Sequence, residues 1–276
     1  MKIKTAAPAF VGLAALLGAV LRGLNLMYGY EEGTRLPVPG DPAETGLIAL
    51  SALAAVLLLA AALRCRRYRG IAFEEAFCSG GALFKMLSVL TGLVMIAAGG
   101  AGLYTTAAVF SSGDARSTLP MIPLWLLAML TGGSFIGTAS AISRRKITES
   151  AAALTIVPMF WACFDLIITF KDNGASPFVG LYGFELLAAI ALTYAFYSLA
   201  GFLYSTASPS RFVFSAGLAA VLCIAVVGGA FLSILSGSSV IPFPAETLLR
   251  YACFLASGVW LFALLVLLSR SLAGKE

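Results

Sequence analysis

Eight long apolar runs constrain the fold of this chain more than any other feature of its sequence. A helix needs ~20 mostly apolar residues to cross the hydrocarbon core of a bilayer. The runs are continuous rather than alternating, so they predict helices and not barrel strands. The predicted spans are Ala6–Tyr28, Thr45–Leu63, Ala82–Tyr104, Leu119–Ile142, Ser150–Phe170, Val179–Leu203, Phe212–Leu235 and Thr247–Leu268.

The composition supports a membrane protein. Of the 276 residues, 60% are hydrophobic and 11% are charged, whereas a soluble domain is about half apolar and about a quarter charged. A folded chain of this length still exposes a large surface, so the surplus of apolar residues cannot all be buried in a core. We therefore predict an all-α polytopic bundle that forms a single membrane domain, with the lipid bilayer as its main partner. A soluble enzyme and a soluble nucleic-acid binder are therefore poor interpretations of this composition.

Basic residues follow alternate loops, which predicts the orientation of the chain. With the N-terminus inside, the cytoplasmic segments hold most of the positive charge. An even number of spans then places both termini in the cytoplasm, and we expect a multi-pass protein of the cell membrane. The inner residues are Lys2, Lys4, Arg64, Arg66, Arg67, Arg69, Lys85, Arg144, Arg145, Lys146, Arg211, Arg270 and Lys275, and the outer ones are Arg35, Arg116 and Lys171.

Two boundaries need separate argument. The first run resembles a signal peptide, but Arg22–Asn25 follows it instead of a small-residue cleavage site, so we expect a retained span. The start of the third span is the least certain boundary. The preceding stretch Gly70–Gly81 could form an interfacial helix that carries Glu74 and Glu75.

Four spans followed by four spans would allow a parallel internal repeat, with halves 1–146 and 147–276. Ile96–Leu103 in the third span resembles Ile224–Leu232 in the seventh. Chance similarity is common among apolar segments, so duplication and coincidence both stay open.

Rows of small residues predict where helices approach closely in lipid. We expect these rows to be internal packing faces, with dimer faces as the alternative. The fourth span offers Gly133, Gly137 and Ala141, and the seventh offers Ala225, Gly229 and Ser233.

Two carboxylates lie well inside apolar spans. From the rise of a helix, Asp165 lies ~8 Å and Glu185 ~9 Å below the outer ends of their spans. Arg22 lies at a similar depth, and Arg250 lies near the outer end of the eighth span, one turn after Glu246. Ionisable groups at membrane depth are costly, so they predict a functional site or a structural ion pair, such as Arg22 with Asp165.

Other residues near these carboxylates suit a ligand. Pro158 should kink the fifth span, because it lacks a backbone donor. Aromatic rings beside charges favour a cationic or planar ligand, although core packing and interfacial belts also explain them. The candidate ligand- or ion-binding residues are Asp165, Glu185, Arg22, Trp161, Asn25 and Tyr182.

Nothing in the sequence predicts catalysis. The chain has no histidine, its five cysteines are dispersed, and no phosphate-binding glycine loop is present. Gly132–Gly137 faintly resembles the surroundings of an intramembrane serine nucleophile, but a histidine base is missing. We expect no catalytic residue, no metal and no cofactor.

The leading hypothesis is a membrane protein that binds or translocates a small solute or ion, alone or as the membrane subunit of a transporter. The alternative is a scaffold or regulatory subunit of a membrane complex. Transport predicts that Asp165 and Glu185 face a cavity, whereas a scaffold predicts that they are sealed in ion pairs. A membrane protein partner or a homo-oligomer stays open, and nucleic acid is not expected.

Overall fold

The computed structural model describes residues 3–31, 34, 36–68, 70–77, 81–111, 119–144, 149–174, 179–204, 206–237 and 241–273. Over these residues the chain is an all-α polytopic bundle, and eight of its helical segments are long and apolar enough to span a membrane. The helices are α1 (Ile3–Tyr28), α2 (Pro42–Arg64), α3 (Phe73–Ala76), α4 (Ala82–Ser111), α5 (Met121–Arg144), α6 (Glu149–Leu154), α7 (Val157–Asn173), α8 (Val179–Ala200), α9 (Pro209–Leu235) and α10 (Ala245–Ala273).

All eight predicted spans are helical, which confirms the fold class. A short 3-10 turn at Cys65–Tyr68 extends the second span. The loop between α1 and α2 contains one isolated antiparallel bridge, between Tyr30 and Pro37, within its described part.

The fifth span is interrupted, as Pro158 predicts. Helix α6 ends at Leu154, and α7 begins at Val157. Because Pro158 has no N–H, the Leu154 carbonyl four residues earlier loses its helical donor. Ser134 Oγ of α5 donates to that carbonyl at 2.7 Å. A neighbouring helix thus satisfies the freed backbone group, which makes the break tolerable at membrane depth.

Helix α9 packs against four other spans, which are α1, α2, α8 and α10. Its small residues allow α1 to approach closely. A Cβ on Gly229 would lie 2.5 Å from Cβ of Arg22, and a Cβ on Gly18 would lie 2.8 Å from Cβ of Ala225. Ser233 is fully buried. The predicted packing face of the seventh span is therefore confirmed, and it fixes the position of Arg22.

The predicted packing face of α5 is wrong at Gly133 and weak at Gly137. A Cβ on Gly133 would meet nothing within 4 Å, and one on Gly137 would meet only Leu154, at 3.5 Å. Gly132 makes the close approach instead, because its Cβ would lie 2.4 Å from the Gly92 carbonyl oxygen. Adjacent helical residues point about 100° apart, so an error of one residue selects another face. Ala141 is buried as expected.

In its described part, the stretch before α4 forms a short helix, α3. Phe73 and Phe77 are buried, and the ring of Phe77 packs against Phe202 and Phe212, with centroids 5.4 and 5.8 Å away. Glu74 and Glu75 are exposed, as an interfacial helix requires. The third span then begins at Ala82, where the sequence predicts it.

Several connections meet at the basic end of the bundle. Gly70 N–H donates to the Ala207 carbonyl at 3.3 Å, and Ser271 Oγ donates to the Glu75 carbonyl at 2.7 Å. Arg64, Arg67 and Arg270 therefore share one end, which agrees with the loop assignment. Which end faces the cytoplasm stays a prediction. The basic residues Lys2, Arg35, Arg69, Arg116, Arg145, Lys146 and Lys275 lie outside the described residues.

The 4+4 repeat also stays a prediction. The pairs that duplication would make equivalent, α1–α2 with α7–α8 and α4–α5 with α9–α10, each pack together. Consecutive helices pack in most bundles, so these contacts do not distinguish duplication from coincidence.

Candidate functional site

A cavity of about 310 Å³ lies at the end of the bundle opposite the basic connections. Its walls come from α1, α7, α8, α10 and the segment that precedes α10. Asp172, Pro242 and Pro244 are exposed at its mouth, whereas Arg22 and Arg250 are buried deeper. Four helices thus bring several charged side chains to one partly enclosed space. Its charged lining residues are Arg22, Asp172, Glu185, Glu246 and Arg250.

Arg22 is held by neutral groups. It is 2% exposed, and its Nη1 donates to Asn25 Oδ1 at 2.7 Å and to the Gly180 carbonyl at 3.3 Å. Its Nη2 donates to the Leu181 carbonyl at 2.5 Å. The guanidinium also lies 5.4 Å from the centre of the Phe184 ring.

One donor of this guanidinium remains open. Arg22 Nε is buried and has no hydrogen-bond partner among the described residues. Buried donors in native proteins are nearly always paired. Arg22 thus lines the cavity while its buried Nε–H keeps no acceptor among the described residues.

Asn25 positions Arg22 rather than lining the cavity. It is 0% exposed, and its Nδ2 donates to Asp41 Oδ2 at 2.7 Å. The Asp41 carboxylate also caps α2, because it accepts the N–H groups of Ala43 at 3.0 Å and Glu44 at 3.1 Å. This cap links the start of α2 to the Arg22 side chain through Asn25.

Asp165 pairs with Arg250, not with Arg22. Arg250 Nε donates to Asp165 Oδ1 at 2.8 Å, and Asp165 is 0% exposed. Arg250 Nη2 also donates to Thr169 Oγ1, and Thr169 Oγ1 donates to the Asp165 carbonyl at 2.8 Å. The expected pair of Arg22 with Asp165 is therefore wrong. Arg22 reaches the start of α8 instead, because α1 packs on α9.

Glu185 does line the cavity, as the transport hypothesis requires. The Tyr251 hydroxyl donates to its Oε1. Tyr182 lines the same space, and Phe243 packs on Tyr251 with ring centroids 6.0 Å apart. Glu185 is therefore anchored by a neutral group from α10.

Trp161 lies in the core beneath this site. It is 1% exposed, and its ring packs against Phe254 with centroids 6.2 Å apart. It is one helical turn before Asp165, as its position in α7 dictates. We therefore place it below the ion pair and not in the cavity wall.

The sequence reasoning missed several residues of the site. The sequence spacing favours Glu246, one turn earlier, as the partner of Arg250 and does not predict the pairing of Arg250 with Asp165. Asp41 had a readable signal, because an aspartate directly before Pro42 and an apolar run is typical of a helix cap. Tyr251 follows Arg250 in α10 and offered no signal of its own.

The cysteines suggest no metal centre. Within the described residues, no group of three potential metal ligands is positioned to hold an ion. Cys163, Cys223 and Cys253 are free thiols, Cys65 is buried, and Cys78 lies outside the described ranges. The expectation of a non-enzymatic, cofactor-free protein stays a prediction.

Comparisons with protein-family models, with curated proteins and with solved structures find no match for this chain. Function must therefore be argued from the chemistry of the cavity itself.

Proposed function

We propose that this multi-pass membrane protein binds a small solute or ion in the cavity between α1, α7, α8 and α10. One observation carries the proposal: Arg22 and Glu185 line the same cavity, and each is held there by neutral groups. Charged side chains inside a membrane protein are costly and mark ligand or ion sites by default.

We further propose that the bound solute crosses the bilayer, through this chain alone or as part of a larger transporter. The interruption between α6 and α7 supports this step, since discontinuous helices occur in transporters and supply places to bend. Asp165 in α7 lies below the cavity, and its partner Arg250 in α10 lines the inner part of the cavity wall. Movement of α7 at the break would separate these helices and open a path past the ion pair.

The scaffold alternative rests on a different observation. Asp165 is sealed in its pair with Arg250, as a structural role predicts. In addition, the small residue Gly133 faces outward from α5, where a Cβ would meet nothing within 4 Å. In this alternative the cavity is a structural gap that takes no ligand.

A ligand screen on the purified full chain separates the two functions. Thermal unfolding in detergent is followed with sodium, potassium, ammonium, acetate, phosphate and 6-aminohexanoate as probes. A ligand present at about 100 times its Kd stabilises the folded state by about 2.7 kcal/mol. We expect at least one probe to raise the melting temperature.

Two cavity variants and one control assign any shift to the site. Arg22→Gln and Glu185→Gln should abolish the shift, because each removes a charge from the cavity. Arg270→Gln is the matched control, since Arg270 is exposed at the opposite end of the bundle. The proposal fails if no probe stabilises the wild type, or if neither Arg22→Gln nor Glu185→Gln changes the response more than Arg270→Gln does.

A further inference from the structure

The charges around the cavity are mixed. Asp172, Glu185 and Glu246 are acidic, and Arg22 and Arg250 are basic. Arg250 already pairs with Asp165 at 2.8 Å, so its charge is largely offset. Arg22 therefore remains as the cation of the cavity, opposite an acidic group of residues.

Two features make Arg22 suited to an anionic group. Its hydrogen bonds join neutral acceptors, and its buried Nε lacks a partner among the described residues. It also lies against the start of α8, where the helix dipole is positive. A carboxylate beside Arg22 would offset both positive charges and could form a charge-assisted hydrogen bond.

The other side of the cavity suits an ammonium group. Glu185 lies in the wall, and Glu246 and Asp172 stand nearer the mouth. Tyr182 and Tyr251 add aromatic rings, which attract cations. A simple anion would meet three carboxylates here, whereas a simple cation would meet the positive charge of Arg22. Neither matches the whole lining.

Size and polarity narrow the ligand further. A water occupies about 30 Å³ in the liquid, so the cavity of about 310 Å³ holds a molecule of about ten non-hydrogen atoms. Leu26, Leu181 and Ile241 supply apolar surface between the charged groups. A short hydrocarbon part would contact that surface.

We infer that the cavity binds a small zwitterion, with its carboxylate on Arg22 and its ammonium on Glu185. This inference rests on the proposed function and names the substrate class of the same site. Free amino acids are the simplest members of that class.

The test compares isomers and their singly charged analogues on the purified full chain. L-Leucine and 6-aminohexanoate share one formula but separate their charges by different distances. Pentylamine and hexanoate each keep one charge. We expect at least one zwitterion to bind about tenfold or more tightly than either analogue by calorimetry, because losing one charge leaves a buried partner unpaired.

Variants locate the two ends of the ligand. Arg22→Gln should remove the preference for zwitterion over pentylamine, and Arg22→Lys should restore part of it. Glu185→Gln should remove the preference over hexanoate instead. Exchanged effects, with Arg22→Gln acting on hexanoate selectivity, would overturn the assigned orientation.

The failures of the inference and of the proposed function are distinguishable. If pentylamine or sodium binds as tightly as both zwitterions and still requires Glu185, the zwitterion inference is wrong and the proposed function stands. If no probe binds the wild type, both are wrong. The comparison of zwitterions with singly charged probes uses the wild type alone, so it decides the zwitterion inference even if a variant does not fold.

Discussion

The two arginines of the cavity are buried to a similar degree but are stabilised in opposite ways. Arg250 meets a carboxylate, Asp165, at 2.8 Å. Arg22 meets an amide oxygen and two backbone carbonyls. Removing one partner of a buried ion pair leaves an uncompensated charge, whereas a cation solvated by neutral dipoles can still receive an anionic ligand. The difference favours a structural role for Arg250 and supports the proposed binding role of Arg22.

The largest expected effect is at the ion pair. Asp165→Asn should leave Arg250 without its carboxylate and destabilise the protein by about 3–5 kcal/mol. Thermal unfolding in detergent measures the loss. Asp172→Asn is the control, because Asp172 is exposed at the mouth of the cavity.

A double variant sharpens this result. Asp165→Asn with Arg250→Gln removes both charges, so it should be more stable than Asp165→Asn alone. If the double variant loses as much stability as the sum of the single ones, the two side chains do not act as a pair.

The contact of α1 with α9 supplies the next test. A Cβ on Gly229 would lie 2.5 Å from Cβ and Cγ of Arg22. Gly229→Ala should therefore displace Arg22 and cost about 1–3 kcal/mol through overpacking. Melting temperature and ligand response are measured together.

Gly228→Ala is the matched control. Its Cβ would lie 2.7 Å from Cβ of Ala19, so it crowds the same pair of helices without touching Arg22. Gly229→Ala should lose the ligand response that Gly228→Ala keeps. Equal loss in both would mean that helix spacing, and not the position of Arg22, governs the site.

A smaller stability effect is expected at Arg22 itself. Arg22→Gln leaves no opposite charge behind among its hydrogen-bond partners, so it should cost about 1–2 kcal/mol, less than Asp165→Asn. Equal destabilisation of Arg22→Gln and Asp165→Asn in thermal unfolding would contradict the different roles assigned to the two arginines.

The sequence predicts the helices better than the pairings. Length and hydropathy determine the spans, because lipid admits no other backbone arrangement here. Pro158 likewise determines the interruption of the fifth span between α6 and α7. Depth alone places both arginines in the outer half of the bundle and favours Arg22 as the partner of Asp165, and only the packing of α1 on α9 moves Arg22 to the start of α8. Which of the two glycines, Gly132 or Gly133, faces the neighbouring helix also depends on contacts between distant parts of the chain. Local sequence patterns do not contain that information.

The smallest expected change in stability is at Tyr30, and the matching substitution at Tyr251 is its control. Tyr30 is 4% exposed, and its hydroxyl lies near Arg22 without a well-formed hydrogen bond to any described residue. Tyr30→Phe should change stability by less than about 0.5 kcal/mol at pH 7, because it removes an unpaired polar group. Tyr251→Phe has the same chemistry but removes the donor to Glu185. It should destabilise the protein at pH 7 by about 1–2 kcal/mol.

Tyr30→Phe should also differ from the wild type at alkaline pH. Burial raises the pKa of Tyr30, and the nearby Arg22 charge opposes that rise. A group whose folded pKa is raised keeps its full contribution below its unfolded pKa, about 10 for tyrosine. That contribution is lost as the pH rises towards the folded pKa, because the unfolded chain ionises first.

Tyr30→Phe should therefore lose less stability than the wild type between pH 9 and 11, as measured by melting temperature. Arg22→Gln should enlarge the wild-type loss, since the opposing charge is gone. A wild type and Tyr30→Phe with parallel profiles would place the Tyr30 hydroxyl in water, and a flat response to Arg22→Gln would separate Tyr30 from the Arg22 site.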